Sequence, residues 1–332
     1  MFNRVIIGDC RETLRSLPAE TFHCCVTSPP YWLLRDYGHS SQIGREPTPD
    51  AYVEALVDVF SLVRRVLRND GTLWLNVGDS YAASAGGGQG KNSKLLDREA
   101  SRLGVREQKQ SKVTGGLKPK DLCGIPWRLA LALQADGWWL RSDVIWHKPN
   151  PMPESVTDRP TKAHEYVFML AKSERYFYDA DAIKEPGLDT GQPDAVVDAN
   201  RDRRRDGAVR RNARSVWTIP TQPYGGAHFA VMPPRLAERC ILAGSRVGSA
   251  VIDPFIGSGT VGLVAEGLGR RWLGCELNAE YESLIRQRTA QAGIPWPEEI
   301  CSEQVPHNPI DPADPKPFHV NAECPASSSN GR

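Results

Sequence analysis

The sequence predicts an α/β fold built on a largely parallel sheet covered on both faces, and three observations carry that prediction. Short apolar runs alternate with helical patterns from the N-terminus onward, in the order strand, helix, strand, helix, strand. The apolar runs, such as Phe22 to Val26 and Thr72 to Val77, are continuous rather than alternating, as in strands buried on both faces. Near the other end, Val251 to Gly262 reads as a strand, a tight glycine turn and the start of a helix.

The elements follow in order. Asn3 to Gly8 is a short strand ending in Asp9-Cys10, followed by an amphipathic turn or two through Leu14 and Leu17. Phe22 to Thr27 is the second strand, and Pro29 and Pro30 then forbid a continued sheet ladder. Thr48-Pro49 offers an N-cap with proline at the first helical position. Tyr52, Leu56, Val59, Phe60, Val63 and Leu67 recur at helical spacing until Asn69-Asp70-Gly71 stops the helix. Thr72 to Val77 is a strand. From Ser84 to Lys120 periodicity is lost, with nine Lys or Arg against three acids and seven glycines, which predicts a basic loop insertion. Ile125 to Ala135 reads as a helix, Trp138 to Trp146 and His164 to Ala171 as strands, and Tyr176-Phe177-Tyr178 as a hairpin partner. Pro234 to Ala292 alternates helix, strand Ser249 to Asp253, helix Thr260 to Leu268, strand Arg271 to Glu276, and helix. The final stretch, 293–332, carries eight prolines without periodicity and is expected to be disordered.

At 332 residues the chain has room for one large α/β domain with insertions, or for two domains. Its eight cysteines form no CxxC pair and no metal-ligand spacing with the seven histidines, so free thiols in a reducing cytoplasm and no metal are expected. No signal-peptide pattern and no apolar run of membrane-spanning length is present, so no membrane partner is expected.

Two stretches carry chemistry. Thr27-Ser28-Pro29-Pro30-Tyr31-Trp32 ends a buried strand with a hydroxyl, open carbonyls and an aromatic face, a set suited to gripping a planar base by its amino group. Taken alone it also reads as a Pro-rich turn. The second stretch is Asp253-Pro254-Phe255-Ile256-Gly257-Ser258-Gly259-Thr260. Its glycines let backbone approach a ligand, and Glu276 ends the next strand where a carboxylate can grip ribose hydroxyls. Gly257, Gly259 and Gly262 also spell the dinucleotide fingerprint, which keeps an NAD(P)-dependent oxidoreductase open. Asp253 before the glycines suits the ammonium group of S-adenosylmethionine (SAM) and suits a pyrophosphate poorly.

Together, Ser28-Pro29-Pro30-Tyr31 and Asp253 to Thr260 resemble the amino-methylating DNA methyltransferases, which act on cytosine N4 or adenine N6. The order, catalytic motif first and cofactor motif last, is similar to that of the family's beta group. The resemblance implies a circularly permuted, doubly wound, Rossmann-like SAM-dependent methyltransferase sheet, with a catalytic domain formed by 1–180 and 228–292. It implies cofactor contacts from Asp9 and Cys10 near the adenine, Glu276 at the ribose, and His228-Phe229-Ala230 at the methionine end. It places a target-recognition segment at 187–227. If the C-terminal strands complete one sheet with the N-terminal ones, the switch point lies between the Asp253 and Thr27 strands, where ligands bind.

The chemistry fits these residues. An exocyclic amine is a poor nucleophile because its lone pair is delocalised; acceptors at the Ser28 hydroxyl and Pro29 carbonyl would free that pair, while Tyr31 stacks on a base flipped from the duplex. Methylation at cytosine C5 needs a cysteine nucleophile, usually after proline, and no Pro-Cys dipeptide occurs. By resemblance, serine at position 28 favours cytosine N4, with adenine N6 the alternative. Arg201, Arg203, Arg204, Arg205, Arg210, Arg211 and Arg214 face only two aspartates in fourteen residues and are expected to bind DNA phosphates. A non-catalytic nucleic-acid-binding protein would explain these arginines but leave both loops idle. Double-stranded DNA is the expected partner. No nuclease-like acid cluster is evident, so a cognate restriction endonuclease would be a separate chain. His147-Lys148 and His164-Glu165 remain without an assigned role.

Overall fold

A computed structural model of the chain describes residues 1–36, 39, 41–82, 106–107, 113–187, 202–203, 209–222 and 232–290. Most of the basic loop at 84–120, Arg201, Arg204, Arg205, the side chain of Arg203, the His228-Phe229-Ala230 run and the 293–332 tail therefore lie outside the described residues. The described chain belongs to the unit Met1–Ile294.

Among the described residues thirteen strands form three sheets. They are β1 (Arg4–Ile7), β2 (Phe22–Thr27), β3 (Arg35–Asp36), β4 (Leu67–Val77), β5 (Arg106–Glu107), β6 (Trp139–His147), β7 (His164–Ala171), β8 (Glu185–Pro186), β9 (Asp202–Arg203), β10 (Val209–Arg211), β11 (Val216–Thr218), β12 (Ala250–Asp253) and β13 (Arg271–Glu276). The central sheet has eight strands in the order β1-β13-β12-β2-β4-β7-β6-β11, with small sheets β8-β10-β9 and β3-β5 beside it. From β1 to β4 every neighbouring pair is parallel, and β12 lies directly beside β2. The far C-terminal strands thus complete the N-terminal sheet, as the permuted topology requires. β7 runs antiparallel to both β4 and β6. The loop 148–163, which contains no helix, joins β6 to β7, and the two strands pair as an antiparallel hairpin.

Helices cover both faces. They are α1 (Cys10–Ser16), α2 (Pro49–Val66), α3 (Ile125–Ala135), α4 (Pro234–Gly244), α5 (Thr260–Gly267) and α6 (Glu282–Thr289). Successive side chains on each strand point to opposite faces, so the core has two parts. Cys25, Leu73, Leu75 and Ile252 join Tyr52, Leu56, Phe60 and Leu129 on one side. Cys24, Val26, Trp74 and Val251 join Leu236, Ile241, Val261 and Val264 on the other. The six described cysteines are buried. No helix among the described residues is long and apolar enough to cross a membrane.

Local chemistry sets most element ends. Thr48 Oγ1 accepts from Ala51 N at 3.1 Å, with Pro49 opening α2 as expected. Two expectations are corrected. The chain enters β4 at Leu67, immediately after α2, instead of breaking at Asn69-Asp70-Gly71; Phe22 pairs with Leu67 and Cys24 already with Thr72, so residues 68–71 bulge out of the ladder. A Cβ on Gly71 would lie 2.9 Å from the Arg68 carbonyl, which is why glycine ends the bulge. Tyr176-Phe177-Tyr178 is not a hairpin strand. Phe177 N donates to Asp70 O on the bulge at 2.9 Å, and Tyr178 stacks on Trp74.

Candidate active site

Parallel pairing aligns the C-terminal ends of β1, β13, β12 and β2 at one sheet edge, and each supplies a polar residue there. A cavity of about 460 Å³ opens at that edge. Ser28, Pro29, Pro30 and Tyr31 line one part of its wall. Asp253, Pro254, Phe255, Gly257, Ser258 and Thr260 line another, and Asp9, Cys10 and Glu276 a third. The two motifs meet in space. Gly259 stays off the wall: its φ of +84° starts α5, and a Cβ there would sit 3.1 Å from Ile285. Trp32, 2% exposed, is core, with Nε1 donating to Glu46 O at 2.9 Å.

A direct bond joins the motif strands. Thr27 Oγ1 donates to Asp253 Oδ1 at 2.6 Å, and Phe255 N donates to the same oxygen at 3.0 Å. Asp253 is 3% exposed, and burial pushes its carboxyl up to about 7. Glu276 accepts from Gly257 N and Asn278 N, at 3.1 and 2.9 Å, and burial likewise pushes it up to about 7. Arg288, 8% exposed, donates to Ser258 Oγ at 2.5 Å and steadies the glycine turn from behind. Asp9 caps α1 through Arg11 N, and the Arg11 guanidinium lowers its pKa. The buried Cys10 thiol is pushed up to about 12, which leaves it neutral and unreactive.

The Pro-Pro loop is held from below. Tyr52 Oη donates to Pro30 O at 2.6 Å, while among the described residues no donor reaches the Pro29 carbonyl. Tyr31 Oη donates to Glu165 Oε2 at 2.6 Å. Glu165 also takes Lys148 Nζ, so His147-Lys148 and His164-Glu165, which the sequence leaves unassigned, meet through the β6–β7 pairing. Thr27, Asn76, Lys148, Glu165 and Arg288 are support residues that sequence reasoning missed, since each acts through partners distant in the chain.

The arginine run is divided. Arg214 lies 3.1 Å and Arg211 3.9 Å from Glu185, which also pairs with Arg239 at 3.3 Å. Arg210 sits half-buried on β10. These contacts give two of the seven arginines an internal partner that composition does not reveal.

The cavity fits SAM on observations of this structure. Its volume falls in the range of ligand pockets, on the order of 300–1,000 Å³. Gly8 has a φ of +138° and open space where a Cβ would stand, leaving the backbone bare at the wall. Two fixed carboxylates on separate strand ends match a cationic amino-acid end and a ribose.

A family model for DNA methylases acting at N6 or N4 matches residues 22–287. The type II methyltransferase M.SmaI of Serratia marcescens is 50% identical over 285 residues, covering 86% of this chain and 90% of that protein. M.XycI of Xanthomonas campestris pv. cyanopsidis, also a type II methyltransferase, is 49% identical over 281 residues, 85% of each chain. Among solved structures, TTHA0409 of Thermus thermophilus, complexed with SAM, superposes with a TM-score of 0.55 at 26% identity over 87% of this chain and 93% of that one. The cytosine-N4-specific PvuII DNA methyltransferase shares the fold, with a TM-score of 0.60 at 20% identity over 90% and 89% of the two chains. With the paired motifs lining one cavity and the match spanning most of its length, this chain belongs to the N6/N4 DNA methylase family.

Proposed function

We propose that this protein is a site-specific, SAM-dependent DNA methyltransferase that methylates the exocyclic N4 of cytosine in double-stranded DNA, after flipping the base from the duplex. The observation that carries the reading is the shared cavity. The Ser28-Pro29-Pro30-Tyr31 wall faces the same space as Asp253 and Glu276. Asp253 would hold the ammonium end of SAM and Glu276 its ribose, with Asp9 and Cys10 beside the adenine. SAM supplies a methyl group on a sulfonium sulfur, which is a good leaving group.

The remaining work is positioning. The Ser28 hydroxyl and the free Pro29 carbonyl accept the two amino hydrogens, drawing the nitrogen lone pair out of the ring system and toward the methyl carbon. By resemblance to the family, serine at position 28 favours cytosine N4, with adenine N6 the alternative. The segment 187–227, with its arginines outside the Glu185 cluster, would contact phosphates and bases of the target. Type II relatives imply a cognate restriction endonuclease on a separate chain.

Transfer of tritium from methyl-labelled SAM to DNA tests the reading. Ser28→Ala is expected to abolish labelling while SAM still binds; Asp253→Ala is expected to abolish both. Undiminished labelling by Ser28→Ala would contradict the assigned role.

A further inference from the structure

The aromatic ring of the Pro-Pro loop is fastened by a carboxylate that the chemistry above does not use. Glu165 is the second residue of β7 and pairs with Trp146 across the β6–β7 hairpin. Its Oε2 accepts from Tyr31 Oη at 2.6 Å and from Asn76 Nδ2 at 3.1 Å, and its Oε1 accepts from Lys148 Nζ. Three donors therefore converge from the catalytic loop, the end of β4 and the loop after β6. Asn76 is buried at 2% exposure, and its Nδ2 also donates to Tyr166 O at 3.2 Å, which fixes the amide. The Glu165 and Lys148 side chains keep only 14% and 18% of their exposure, and the Lys148 ammonium lies 4.4 Å over the Trp146 ring. Gly78 leaves room for the assembly: a Cβ there would come within 2.7 Å of Tyr31 Cε2 and 3.3 Å of Glu165 Cδ.

A buried ion pair is a weak argument for stability, because desolvation offsets the attraction. Its geometry has a different consequence here. A phenol owns one hydrogen, and Glu165 takes it. Tyr31 Oη then has no hydrogen left to donate and can only accept, on the same cavity wall that Ser28 lines. Burial first, and then the adjacent Glu165 carboxylate, keep the phenol protonated, so this polarity holds at any physiological pH.

We propose that Glu165 is a positioning residue for methyl transfer: by accepting the one hydrogen of Tyr31 Oη it locks the ring against the cavity wall, where the target base would stack. The inference rests on the amino-methyltransferase reading.

The test compares wild type, Glu165→Gln, Tyr31→Phe and the double variant in single-turnover transfer from labelled SAM to unmodified double-stranded DNA, with SAM affinity measured separately. Each single variant is expected to slow transfer about tenfold or more, the scale of losing a hydrogen bond to a charged group. SAM affinity should be unchanged, and the double variant should be no slower than the slower single one, because both substitutions act on one contact: Glu165→Gln removes the charge of its acceptor and Tyr31→Phe its donor. Tyr31→Phe removes a single oxygen and keeps the test intact should Glu165→Gln fold poorly. Wild-type rates in both single variants, or losses that multiply in the double variant, would overturn the inference. Absence of labelling by the wild-type protein would contradict the methyltransferase reading itself and the inference with it.

Discussion

Asp253 and Glu276 face one cavity, and burial pushes both carboxyls up to about 7. Each holds its proton more tightly in the fold than in the unfolded chain. Their contribution to stability is therefore complete below about pH 4 and is lost as pH rises through 7. The urea midpoint of the ligand-free protein is expected to fall between pH 5 and 8, and Asp253→Asn to flatten that fall. Binding runs the other way, since a cationic ligand favours the ionised carboxylate. SAM affinity measured by calorimetry is expected to tighten about five- to tenfold between pH 6 and 7.5, and a flat profile would remove Asp253 from that role. These two acids were legible in the sequence because each ends a strand next to a glycine turn or a chain reversal. Their supports were not. Thr27 and Asp253 are 226 positions apart, and Tyr31 and Glu165 are 134 apart, so no local pattern encodes either bond. The arginines illustrate the converse: composition counted the charge but not Glu185, which pairs with Arg211 and Arg214.

At the scale of elements, caps and periodicity carried most of the information. Thr48-Pro49 gave the start of α2, and the strands His164–Ala171 and Arg271–Glu276 have the expected bounds. What failed was a turn signal overridden by packing. Asn69-Asp70-Gly71 is good turn chemistry, yet Leu67 is fully buried and pairs with Phe22, so the turn survives only as a bulge within β4. The junction of β2 and β12 is the element pair on which the site depends most. Thr27→Val keeps the shape but leaves Asp253 Oδ1 without its hydroxyl donor. We expect a loss of about 1–3 kcal/mol in urea unfolding and a further rise in the Asp253 pKa, because the Thr27 bond lowers it. An unchanged midpoint would show that the hydroxyl does not tie the strands.

For the molecule as a whole, the permuted order means that neither end of the chain can build the sheet alone. Among the described residues β1 pairs only with β13, and β2 has β12 along one edge. A fragment ending at residue 222 keeps the catalytic loop but loses both C-terminal partners, and it is expected to lack a cooperative unfolding transition by circular dichroism. A native-like transition would mean that the N-terminal half folds independently. The same topology brings the Asp253–Thr260 loop beside the Pro-Pro loop, at one cavity that a target amine would enter. Expressing the protein in a host that lacks DNA methylation and analysing the nucleosides of its DNA by mass spectrometry identifies that amine. N4-methylcytosine is the expected product, lost with Ser28→Ala; N6-methyladenine as the sole modified nucleoside would contradict the assignment of cytosine.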